Sequence, residues 1–168
     1  MVRLIHSGFG DGADWDAEYH ATEAGWRIFL FNLRLFLTRF PGQRCASVLV
    51  NGQATGPVER AFGELAGALG LPTGPSEGER VATTAPGAPA LAGVVERAEP
   101  NLLALRLEKP APGIGFVMAT PMGDGSAHAS VYAYLFGDGA AEVAAREEPV
   151  IRSWMGRHFP MGQAPAER

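Results

Sequence analysis

The chain has 168 residues, 46% of them apolar and 19% charged, with a formal net charge of −4. That length suits one domain, or one domain plus a sizeable attachment, and the apolar share is enough to bury a core. Arg and Lys are scattered without a basic run, which excludes an electrostatic footprint for nucleic acid or anionic lipid.

In chain order, residues 2–7 are β-like and short, and no long apolar run of a signal peptide follows Met1. Asp11, Asp14, Asp16 and Glu18 then crowd a helix start, where carboxylates suit the positive end of the helix dipole. The helix is predicted over 15–40, stopping at Pro41-Gly42. Its apolar residues form two stripes at helical spacing: Tyr19, Trp26, Phe29, Leu30, Leu33, Leu37 and Phe40, and separately Ile28, Phe31 and Leu35. A helix apolar on two sides must be covered on two sides. Its most apolar part, 26–37, holds two arginines and is too short to span a bilayer, so a soluble cytoplasmic protein is expected.

A strand is predicted over 45–51. Its Cys45 is the single cysteine, which excludes a disulfide framework and a thiolate zinc site, and it reads as a small buried apolar residue. Residues 56–71 read as a helix with Pro57 in its first turn and Val58, Phe62, Leu65 and Leu69 on one face. After a loop, strands are predicted at 79–84, 91–98, 101–108, 113–121 and 127–136, with turn-rich connections at 98–101 and 121–126. Leu103, Leu105 and Leu107 alternate with Ala104, Arg106 and Glu108, which predicts one buried and one wet face. A last helix is predicted over 139–158, broken or kinked by Pro149, with Val150, Ile151, Trp154 and Met155 as its apolar stripe and Trp154 facing the sheet. The end, 161–168, reads as a flexible tail.

The string Phe-Gly-Asp-Gly-Ala occurs twice, at Phe9–Ala13 and at Phe136–Ala140. Each copy is followed by a helix containing a Trp (Trp26, Trp154), then by Phe-Pro and Gly-Gln. Each copy reads as a strand-to-helix corner, with glycine freeing the bend and Asp11 or Asp138 capping the helix. The first copy also fits the G-x-G-x-x-A dinucleotide pattern. Against that stand the acidic residues at the helix start, Asn51 ending the next strand where an acidic ribose partner belongs, and the meander that follows. No nucleotide or other cofactor is expected.

The order strand, helix, long antiparallel meander, C-terminal helix is that of the helix-grip fold. The segment 6–42, HSGFGDGADWDAEYHATEAGWRIFLFNLRLFLTRFPG, resembles the ending of START-like, SRPBCC-type proteins, in particular the branch related to the activator of the heat-shock-protein-ninety ATPase. The resemblance implies an α+β fold: a curved antiparallel sheet wrapped on a long C-terminal helix (44–160), preceded by a strand-plus-helix piece (1–43) like the end of a second such domain. The missing first part of that domain implies a truncated two-domain gene product, a misassigned start or a fragment, or else a genuine extension adapted to the following domain.

His6, His20, His128 and His158 have no metal-ligand spacing, and Glu147-Glu148 reads as a solvated helix end, so no metal site and no catalytic constellation is expected. The resemblance implies a cavity between sheet and C-terminal helix, and Phe116, Met118, Tyr132, Tyr134 and Trp154 are the residues expected to line it. Tyr132 and Tyr134 share a face with His128 and Ser130, an aromatic and hydroxyl surface on either the cavity or the solvent side. The expected function is non-enzymatic binding of an apolar small molecule. The alternatives are a chaperone-interacting, ATPase-activator-like role and a polyketide-cyclase-like enzyme. A homodimer through residues 1–42, with Ile28, Phe31 and Leu35 covered by a second copy, is the simplest way to bury the second helix stripe.

Overall fold

The computed structural model describes residues 5, 7–8, 13–122 and 125–161, and within 13–24 only the side chain of Thr22. The chain divides into two compact units, Met1–Pro41 and Gly42–Arg168.

In the first unit, helix α1 spans Ala13–Arg39. Its last turn closes with the Phe40 N–H donating to the Phe36 carbonyl at 2.9 Å. Trp26 meets Phe29 edge to face at 5.4 Å. Of the strand predicted at 2–7, Ile5 and Ser7 are in no strand and the remaining positions lie outside the described residues, as do Phe9 to Gly12 of the first repeat copy and its Asp11.

The second unit begins with strand β1, Cys45–Thr55, and helix α2, Val58–Leu69. Strands β2 (Arg80–Ala82), β3 (Ala92–Glu99), β4 (Leu102–Lys109), β5 (Gly113–Pro121) and β6 (Ser126–Phe136) follow, then helix α3, Ala140–His158. The six strands form one antiparallel sheet in the order β1-β6-β5-β4-β3-β2. With its curvature and its C-terminal helix this is a helix-grip-like α+β fold.

Side chains alternate across a strand, so the register decides which residues meet the helices. Val48, Val50, Val117, Val131 and Leu135 share the inner face. They form one core with Leu65 and Leu69 of α2 and with Ile151, Trp154 and Met155 of α3. The inner face of β6 is otherwise alanine (Ala127, Ala129, Ala133), because the bulk of this core comes from the helices. Gly52 lies against the end of α3: a Cβ there would collide with the carbonyl oxygen of the C-cap Phe159 and lie 2.6 Å from the Phe159 Cβ.

Several expectations change. Helix α3 runs on through Pro149, so the proline does not break it. Val150 is 47% exposed and leaves the buried stripe, whereas Trp154 is 1% exposed and belongs to the core, as expected. The second repeat copy is a strand-to-helix corner, but its N-cap is Gly139 with no side-chain cap bond, so Asp138 does not cap α3. Glycine at φ 81 there makes the bend by backbone freedom alone. Pro57 precedes α2 as its N-cap instead of lying in the first turn. Ala104 is buried opposite the leucines, so β4 is covered on both faces over most of its length. Cys45 is exposed, because it starts the edge strand β1 on its outer face, and desolvation still holds its thiol above the ordinary pKa. Glu147 and Glu148 lie within α3 beside Arg146 and Arg152 at 2.9 and 2.5 Å.

Candidate functional site

The five residues expected to line one cavity are split between the two faces of the sheet. Phe116 pairs with Tyr132 across β5 and β6, Met118 with Ser130 and Ile114 with Tyr134, all on the outer face. Trp154 is on the inner face, stacked on the His158 ring at 4.3 Å. The outer four remain neighbours: Phe116 meets Tyr134 edge to face at 6.2 Å, and Phe116 and Met118 are buried.

The outer face also carries a polar cluster. Asn51 on β1 accepts two hydrogen bonds at its Oδ1, from Ser130 Oγ at 2.7 Å and from Tyr132 Oη at 2.8 Å. This bonding explains how Ser130 is tolerated at 2% exposure. Two strand positions along, the His128 Nδ1 is buried without a hydrogen-bond partner. Burial, then Tyr132 and Cys45, raise the Tyr134 phenol above its ordinary pKa. Among the described residues no group of His, Cys, Asp and Glu is arranged to hold a metal ion.

A concave space in this unit lies elsewhere, in a cleft of about 350 Å³ between α2, the loop Leu71–Pro75 and the β3–β4 connection. Helix α2 has two working faces. Ala61, Leu65 and Leu69 are buried in the core, while Glu59, Phe62, Gly63, Ala66 and Gly67 face the cleft. Phe62 thus serves the cleft as well as the core. Leu71, Pro72 and Pro75 form one wall, and Ala98, Pro100 and Leu102 the other.

Local sequence fixes each wall. Gly70 ends α2 in the left-handed conformation at φ 69, and the Leu71 N–H donates back to the Ala66 carbonyl at 3.0 Å. That reversal turns Leu71 and the prolines back along the helix. On the other side, a register shift between Val95 and Arg97 reshapes β3 just before the turn. The cleft was not expected from the sequence. Its one sequence signal is Gly63 and Gly67, two glycines in a helix interior, where glycine is unfavourable.

The three residues expected at a helix interface do not form one exposed face. Leu35 is buried and Ile28 and Phe31 are half-buried. Among the described residues, the exposed large apolar side chains of α1 come from the other stripe: Phe29 at 52%, Leu30 at 37% and Leu37 at 56%.

The second unit is therefore a helix-grip-like α+β protein with an apolar cleft on α2. No protein-family model matches the chain, and no curated protein does. Among solved structures it is similar to CalU16 from Micromonospora echinospora, at 16% identity and TM-score 0.47, over 70% of this chain and 82% of that one. It is also similar to a Bordetella parapertussis protein, at 18% identity and TM-score 0.46, over 71% and 78% of the two chains. Protein MLL2253 from Mesorhizobium loti matches at 17% identity and TM-score 0.43, over 67% of this chain and 98% of that one. Among the described residues no helix is long and apolar enough to cross a membrane.

Proposed function

We propose that this protein binds an apolar small molecule, and that it does so in the cleft between α2 and the β3–β4 connection. The observation that carries the reading is the cleft itself: about 350 Å³, walled by Phe62, Leu71, Pro72, Pro75 and Leu102. Small-molecule sites occupy roughly 300–1,000 Å³ and are mostly apolar with a few polar groups. The location replaces the cavity between sheet and C-terminal helix, where Ile151, Trp154 and Met155 are packed into the core.

The enzyme alternative needs polar groups inside the cavity. The polar side chains lining the cleft are Glu59, Thr73 and Glu99, the last paired with Arg97, and the hydrogen-bonded Asn51–Ser130–Tyr132 cluster lies away from it on β1 and β6. Non-enzymatic binding is the reading proposed, because the walls of the cleft are otherwise apolar. Fluorescence of Nile red, a neutral apolar dye, tests it: the wild-type chain should bind the dye, and Gly67→Leu, which puts a side chain into the cleft, should weaken binding at least tenfold. Unchanged binding by that variant would remove the cleft from the proposal.

A further inference from the structure

We infer that the cleft selects apolar molecules that carry a protonated amine and discriminates against carboxylates such as fatty acids. The inference rests on the cleft being the binding site, as proposed above. The charged side chains lining it are Glu59 and Glu99; its other lining residues are apolar, apart from Thr73 and the glycines. The two carboxylates sit on different walls, Glu59 in the first turn of α2 and Glu99 at the end of β3. Glu99 is already held 2.7 Å from Arg97. Glu59 makes no ion pair among the described residues, so its charge is uncompensated at the rim.

With Glu99 paired to Arg97, Glu59 sets the direction of the discrimination. A helix N-terminus attracts anions, but the first turn of α2 already carries Glu59, which occupies that favourable field and repels a second anion. An apolar tail seated against Phe62 and Leu71 would bring its head group to the rim, beside these carboxylates. An ammonium there gains an ion pair with Glu59, whereas a carboxylate gains only repulsion. Both acids are solvent-accessible, so the discrimination is modest and falls as salt screens it.

Competition against Nile red with decylammonium and decanoate, equal in chain length and opposite in charge, tests the inference on the full chain. At neutral pH and low salt, decylammonium should displace the dye at a concentration about fivefold lower than decanoate does. Glu59→Gln, which removes the unpaired carboxylate, should bring that ratio towards one, whatever happens to the dye's own affinity. Equal or stronger displacement by decanoate in the wild-type chain would overturn the inference while leaving the cleft in place. Absence of Nile red binding, or binding indifferent to Gly67→Leu, would overturn the cleft and this selectivity with it.

Discussion

Gly63 and Gly67 stand one turn apart on the cleft side of α2, and a Cβ built on either meets nothing within 4 Å. Neither has the positive φ that would demand glycine. Both therefore cost helix stability without a packing reason among the described residues, and what they provide is open space along the helix backbone. Gly63→Ala and Gly67→Ala should each stabilise the fold by about 0.5–1 kcal/mol, because glycine loses more backbone freedom on folding than alanine. Chemical denaturation measures this, and a destabilising alanine at either site would mean that something already packs there.

Gly70 is the contrasting case in the same helix. At φ 69, with a Cβ only 2.5 Å from the Ala85 nitrogen and 2.6 Å from Thr84 Oγ1, it has neither the conformation nor the room for a side chain. Gly70→Ala should cost about 2 kcal/mol through the left-handed backbone alone, and more through the clash. The same denaturation series reads it, and a neutral result would mean that the Leu71–Pro75 wall is not anchored by this cap.

Trp154 is the largest fully buried side chain. Trp154→Ala should lower stability by roughly 3–5 kcal/mol, since the truncated site keeps a cavity between α3 and β1. A melting temperature equal to that of the wild type would place Trp154 in solvent. Because Trp154 does not line the cleft, Trp154→Phe should leave Nile red affinity within about twofold.

Much of the architecture was legible in the sequence. The periodicity of 102–107 and 127–135, the turns between strands and the glycine-rich corner at 137–139 all carry local signals. What was not legible is which face of β6 meets the helices. Tyr132 and Tyr134 were expected to line a cavity on the strength of the resemblance, while the alternation itself left their face open between cavity and solvent. The inner side is Ala127, Ala129, Val131, Ala133 and Leu135, because the bulk there belongs to Leu65, Trp154 and Met155 on the helices. Neighbouring helices, and not the strand itself, set the size of its inward residues. The cleft was hidden for a different reason: its walls at 71–75 and 98–103 meet α2 only in three dimensions.

Tyr134 gives a pH-dependent outcome. Burial, Tyr132 and Cys45 raise its pKa above the ordinary 10.0, so the folded state holds the phenolic proton more tightly than the unfolded state. Stability from this group is fully present below the unfolded value and is lost as pH rises through the folded one. Denaturation midpoints should therefore fall above about pH 10, and Tyr134→Phe should flatten that part of the profile. An identical alkaline slope in the variant would assign the loss to other groups.

The association expected of residues 1–42 is now proposed through the exposed side of α1, because Phe29, Leu30 and Leu37 leave more apolar surface open than Ile28, Phe31 and Leu35. One self-complementary patch is enough for a two-fold pair. Light scattering should give a dimer mass at high micromolar concentration and a monomer mass for Phe29→Glu with Leu37→Glu. A wild-type monomer at that concentration would contradict the pairing.

The central claim is that the cleft on α2 receives an apolar molecule, and amide chemical-shift mapping of the isotope-labelled chain during a Nile red titration tests it most directly. The expected result is saturable shifts concentrated at 59–75 and 98–103, with little change around Trp154 or the Asn51–Ser130–Tyr132 cluster. Shifts centred on α3 and β1 instead would contradict the account and return the ligand to the space between the C-terminal helix and the sheet.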